Sequence, residues 1–132
     1  MNKWDDNHLK RLRAQFAYDE VNGNWPNNAL QRVKGLPVQV RTQGLTVTLA
    51  TLLREDTVQS RRLADVLGRW LLKDAPHRSL DETGPEKWSP ARRLLDACIK
   101  AERSAYLAAQ VEALFVLEQL KLFAEALDKE EK

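Results

Sequence analysis

Reactive side chains are scarce in this sequence. Its 132 residues include one cysteine, Cys98, and two histidines, His8 and His77. A single cysteine excludes an internal disulfide. Neither histidine has a cysteine or carboxylate at metal-ligand spacing, which argues against a zinc site. The five glycines are scattered, so there is no glycine-rich loop to cradle a phosphate. Cys98 falls on the apolar stripe of a helix and reads as a buried structural thiol. Carboxylates such as Asp65 and Glu112 stand among basic or apolar helical neighbours, as surface ion pairs do. No acid, base and nucleophile come together, so the expectation is a non-enzyme with no cofactor, metal or small-molecule substrate. Long apolar runs are missing too. None could cross a bilayer, and the N-terminal MNKWDDNHLKRLR has no signal-peptide core, so a soluble, cytoplasmic protein without a membrane partner is expected.

What is present is an ordinary globular balance, 43% hydrophobic and 30% charged, which excludes a disordered chain. The length suits a single domain over residues 1–132. The net charge of +2 is unevenly placed: residues 1–79 hold 13 Lys and Arg against 8 Asp and Glu, and residues 80–132 hold 8 against 11. A basic excess in one part of a small chain fits a polyanion partner, and it equally fits a solvated surface.

The stretch LPVQVRTQGLTVTLATLL poses the main question of fold. Val38, Val40 and Thr42 alternate like a strand before Gln43-Gly44, which could turn a hairpin. Yet Leu30, Val33, Leu36 and Val40 keep helical spacing, as do Leu45, Leu49, Leu52 and Leu53. One isolated hairpin would lack a third strand. Two helices hinged at Gly44 are expected, the first kinked at Pro37. Upstream, a helix from Asp5 to Asn22 carries Leu9, Leu12 and Phe16 on one face, with Asp5 and Asp6 at its start and Gly23 as its stop. Pro26 suits the first turn of the next helix. Asp56 and Gln59 resemble a capping box ahead of the stripe Leu63, Val66, Leu67, Trp70 and Leu71. DAPHRSLDETGPEKWSP reads as an exposed, mobile loop, placed at 75–89. Ser89-Pro90 opens a helix with Leu94, Leu95, Cys98 and Ile99 inward. From about Ser104 to Lys129 runs a long helix with two apolar stripes. One is Tyr106, Ala109, Ala113, Leu117, Leu120, Ala124 and Leu127, and the other Leu107, Val111, Leu114, Phe115 and Leu122. Such a helix is central in a bundle or lends its second face to a partner; the central position is expected, with some surface left over. The fold class is therefore all-α, a single-domain bundle of about six helices with a long, apolar C-terminal helix.

The basic residues carry the functional signal. Arg62, Arg69 and Lys73, spaced by seven and four, fall in one narrow stripe. Lys34 and Arg41, also seven apart, share a face. Arg92 and Arg93 stand in a first helical turn, where the helix dipole disfavours them. These seven are the candidate phosphate contacts; the alternative is a solvated face with local ion pairs, such as Asp65 among Arg61, Arg62 and Arg69. Of the four tryptophans, Trp70 packs in the core. Trp4, Trp25 and Trp88 could stack on bases, but beside prolines and helix starts Trp25 and Trp88 read better as staples.

Two stretches, VKGLPVQVRTQGLTVTLATLL and SAYLAAQVEALFVLEQLKLFAEAL, resemble the small helical subunit of Cmr-type, type III-B CRISPR effector complexes. The first carries a Leu-Pro, Gly-Leu, Thr-Leu-Ala order, and the second a Tyr, Glu-Ala-Leu, Leu-Lys-x-Phe-Ala-Glu-Ala-Leu order. The resemblance spans essentially the whole chain. It implies an all-α, non-nuclease subunit with a helix junction at Gly44. Copies of it would stack into a short filament beside backbone subunits that grip a guide RNA (crRNA). Target RNA would pair in the channel between the filaments, cutting would belong to the backbone subunits, and this chain would supply a positive wall. Implied partners are the other Cmr subunits (backbone and large), further copies of the chain, crRNA and target RNA. The family provides no fixed contact residues, so Lys34, Arg41, Arg62, Arg69, Lys73, Arg92 and Arg93 stand on this sequence alone. The modest net charge predicts weak RNA binding by one subunit and avidity from repeated copies. Alternatives are a helical protein–protein adaptor without RNA contact, or the small subunit of the related Csm-type complex. Turnover dependent on His8, His77 or Cys98 would revive an enzyme.

Overall fold

A computed structural model describes residues 6–130. Trp4 and Asp5 lie outside the described residues. Six α-helices run in order: α1 (Asp6–Asn22), α2 (Ala29–Gln43), α3 (Leu45–Glu55), α4 (Val58–Arg69), α5 (Pro90–Lys100) and α6 (Arg103–Glu130). One π-helical turn, Trp70–Asp74, prolongs α4. There is no strand among the described residues.

The disputed stretch is helical on both sides of Gly44, and Pro37 lies buried within α2. Gly44 has φ 89° and ψ 162°, a conformation open to glycine and strained for other residues. It cannot cap α3 with a side chain, and the cap comes from α6. The Leu45 N–H donates to Gln110 Oε1 at 2.9 Å and the Thr46 N–H to the Tyr106 hydroxyl at 3.1 Å. Two donors left over at a helix start are thus satisfied from across the molecule.

Other starts and stops differ from the sequence expectation by a residue or two. The cap of α4 is Thr57, whose hydroxyl accepts from the Ser60 N–H at 3.1 Å. Asp56, the expected cap, instead ends α3 in the left-handed conformation at φ 53°. Pro26 stands outside α2, in a turn where its carbonyl accepts from the Ala29 N–H at 3.2 Å. Ser89 caps α5 as expected, accepting from the Arg92 N–H.

The buried residues form one apolar cluster. Helix α6 packs against α1 and α2, α4 against α5, and α3 touches α2, α4 and α5. Leu63, Val66, Leu67, Trp70 and Leu71 are all buried, as the stripe predicted. On α1 the buried face is rotated: Arg13, Ala17 and Val21 point inward, while Leu9, Leu12 and Phe16 are half-buried. On α5, Leu94 and Cys98 are buried but Ile99 is 67% exposed. Burial pushes the Cys98 thiol up to about 12, partly offset by a hydrogen bond with Thr46, so it stays protonated and inert.

Helix α6 is not central. Ala109, Ala113, Val116, Leu117, Leu120 and Ala124 are buried, but Leu107, Val111, Phe115 and Leu122 are 41–57% exposed. The reason is geometric. α6 packs on α1, α2 and the π-helical turn, and these leave the second stripe about half exposed.

Most of the 75–89 segment is exposed, yet it is tied down at several points. Ala75 and Leu80 are buried. The Ser79 hydroxyl donates to the Ala105 carbonyl at 2.9 Å, and the Thr83 hydroxyl to Asp96 Oδ2 at 2.6 Å. Gly84, at φ 85°, lies so close to the Trp88 ring that a β-carbon would collide with it.

Candidate functional site

The seven candidate basic residues separate into three groups. Lys34 and Arg41 are exposed on α2. Arg41 reaches Glu118 of α6 at 3.6 Å, which sets this edge of α2 beside the exposed stripe of α6. Lys34 makes no ion pair among the described residues.

Arg62 and Arg69 turn toward α1 and share one carboxylate. Arg69 grips Glu20 with both terminal nitrogens, at 2.7 and 2.6 Å. Arg62 Nε reaches Glu20 at 3.4 Å, and its other nitrogens donate to the carbonyls of Glu20, Gly23 and Asn24 at 2.9–3.0 Å. Those carbonyls are at or just beyond the end of α1, where acceptors lack helical partners. The Arg62 guanidinium also lies 5.6 Å from the Trp25 ring centre. Burial alone would raise the Glu20 pKa, but the hydrogen bonds and charge of Arg69, with those of Arg62, outweigh it and hold the group below its ordinary value. This pair of arginines joins α4 to α1.

Lys73, Arg92 and Arg93 gather around the 75–89 segment. Arg93 Nη1 meets Glu82 at 2.7 Å, and Lys73 Nζ meets the same Glu82 oxygen at 3.6 Å. The Arg92 guanidinium lies 4.0 Å from the centre of the Trp88 ring. Trp88, packed on one side by Gly84 and stacked by Arg92, is a staple of this segment. A cleft of about 270 Å³ opens here, lined by Arg69, Lys73, Arg93, Glu82, Glu86 and Trp88 among others.

Two features escaped the reading of the sequence. Arg13 is buried on α1 and bonds Glu112 of α6 through two nitrogens, at 2.6 and 2.7 Å. The Trp70 indole donates to the same carboxylate at 2.9 Å. Glu112 is therefore a link between α1, the π-helical turn and α6, not a surface ion pair. A signal existed: Arg13, Ala17 and Val21 recur at helical spacing, and Glu112 adjoins the Ala109 and Ala113 stripe, so opposite charges stand on two buried faces. Asp65, whose charge still acts on Arg69, accepts from the Ala91 N–H of α5 at 3.0 Å. Nothing local could have announced that bond.

Beside Phe115, the side chains of Lys10, Arg11, Arg13 and Glu118 border a second cleft, of about 420 Å³. The outer side of α6 thus presents a half-exposed apolar stripe with cations from α1 and α2 along both margins. His8 and His77 are exposed. No three metal-ligating side chains cluster among the described residues. No helix among the described residues is long and apolar enough to cross a membrane.

Such an arrangement offers dispersed positive charge and an apolar docking stripe. A family model described as CRISPR-associated protein (Cas_Cmr5) matches residues 9–127. No curated protein and no solved structure matches the chain.

Proposed function

The chain belongs to the Cas_Cmr5 family of CRISPR-associated proteins, the small subunits of Cmr-type complexes, and we propose that it acts there as a non-catalytic, RNA-contacting spacer. The family match, extending from residue 9 to residue 127, carries this reading. In it, several copies stack beside the backbone subunits, and guide–target pairing supplies the sequence specificity. This chain contacts phosphates and reads no bases.

The exposed cations support direct contact by Lys34, Arg41, Lys73 and Arg92. Arg93 stands behind them, half-buried, and Arg62 and Arg69 contribute field and rigidity, since their donors are engaged with α1. The exposed stripe Leu107, Val111, Phe115 and Leu122 supports a neighbouring protein subunit on α6. The same stripe favours a second reading, an adaptor that binds protein and never meets RNA.

One purification separates the two. The tagged chain is isolated from its own cells at mild salt, and its companions are identified. Backbone-type Cmr subunits with short RNAs sharing one end sequence are expected. Protein companions without RNA would establish the adaptor, Csm-type companions would reassign the complex, and a lone monomer would end both readings.

A further inference from the structure

We infer that the cleft between α4, the π-helical turn and the 75–89 segment is a phosphodiester subsite, and that the Glu82 carboxylate occupies it in the free chain. The inference rests on the RNA-contact reading above and names one place where a phosphate of that RNA sits.

Two cations distant in sequence converge on this cleft, Lys73 from the π-helical turn and Arg93 from α5, and Arg69 of α4, whose terminal nitrogens are held by Glu20, also lines it. Glu82 bridges two of them, at 2.7 Å from Arg93 and 3.6 Å from Lys73. One carboxylate is shared by two cations here, and the lining as a whole sets Arg69, Lys73 and Arg93 against Glu82 and Glu86. The chain repeats this pattern at Glu20, shared by Arg62 and Arg69, and the contrast is informative. The Glu20 side chain is 13% exposed, and its partner Arg62 is also fixed by three backbone carbonyls. The Glu82 side chain is 32% exposed and its partner Lys73 59%, while its closer partner Arg93, 15% exposed, is also held by the single backbone carbonyl of Thr83. The first clip is part of the fold, and the second is open to exchange.

A phosphodiester carries the same single negative charge as a carboxylate and accepts from a guanidinium fork in the same way. Exchange needs no loop opening. The backbone around Glu82 is anchored by buried Leu80 on one side and by Thr83 on the other. The Thr83 hydroxyl bonds Asp96, and its carbonyl accepts from Arg93 Nε at 3.4 Å. Only the Glu82 side chain has to turn out into water. Glu86, also on the lining, is the remaining like charge and tempers the affinity.

The test is binding of a labelled oligouridine RNA to the full chain, followed from low to moderate salt. Glu82→Gln is expected to tighten binding about three- to tenfold, and to steepen the logarithmic salt dependence by about one. Lys73→Ala added to Glu82→Gln is expected to reverse the gain. If Glu82→Gln binds as the parent does while Lys34→Ala with Arg41→Ala binds more weakly, the subsite is overturned and the RNA reading stands. If the gain survives Lys73→Ala, the phosphate sits elsewhere and the inference is again overturned. If no variant binds RNA even at low salt, the subsite falls; RNA recovered with the purified complex then decides the broader reading separately.

Discussion

Individual side chains in this molecule carry more of the fold than its charge pattern implies. Glu20 is the clearest instance. Its carboxylate holds two arginines of α4, and its pKa is lowered on balance by Arg69 and Arg62 against the opposing effect of burial. A carboxyl whose pKa falls on folding stabilises the native state above its ordinary pKa, here 4.5, and that stabilisation is lost as pH falls through the lowered value. Acid should therefore loosen the contact of α1 with α4. Glu20→Gln is expected to cost about 2–4 kcal/mol at neutral pH, since it leaves two arginines half-buried without a counter-charge. It should also remove part of the acid sensitivity. Urea unfolding at neutral and at acid pH reads both, and an unchanged acid limb would show that the carboxylate's charge is irrelevant. Lys73 leaves the expected stripe to meet Glu82, and only the shared face of Arg62 and Arg69 was legible in the sequence. Its engagement was not, because Glu20 lies 42 and 49 residues from its partners and no periodicity spans that distance.

Helices were the most legible level. Stripes at Leu63, Val66 and Leu67, and at Ala109, Ala113 and Leu117, mark continuous buried faces, and burial follows them. Ends were less legible. Thr57 and Asp56 are neighbours and either could cap; Asp56 takes the left-handed conformation that ends α3, which leaves the cap to Thr57. The pairing of helices was not legible at all, and one glycine fixes it for α4 and α5. A β-carbon on Gly68 would collide with the Pro90 carbonyl and ring, so the two helices meet backbone to backbone there. Gly68→Ala is expected to destabilise by about 2 kcal/mol or more through overpacking, despite alanine's better helix propensity. A thermal melt of the variant checks this; equal or higher stability would mean that the helices part at no cost.

At the scale of the molecule, the outer side of α6 is the largest departure from expectation. Sequence pattern gave two apolar stripes, and nothing in it says how many neighbours a chain of this length can place around one helix. The remaining described elements cover one side, so the second stripe stays about half exposed. Val111→Glu with Leu122→Glu is expected to leave stability within about 0.5 kcal/mol, because both side chains are at least half exposed. Recovery of the chain with its complex should fall sharply. Circular dichroism melts and co-purification measure the two effects, and undiminished recovery would place the neighbouring subunit on another surface. The basic edge of α2 is the converse case, legible as a shared face of Lys34 and Arg41 and observed exposed.

The junction at Gly44 bears on how the chain comes into being. Its two bare amides at Leu45 and Thr46 are met by groups 65 and 60 residues later in the sequence. While a ribosome is still building that stretch, the first turn of α3 lacks its two acceptors and α2 lacks the face of α6 it packs on. The early helices therefore emerge as an unfinished shell with its apolar lining open to water. Tyr106 and Gln110, which complete the joint, are thus synthesised well after the hinge whose amides they satisfy.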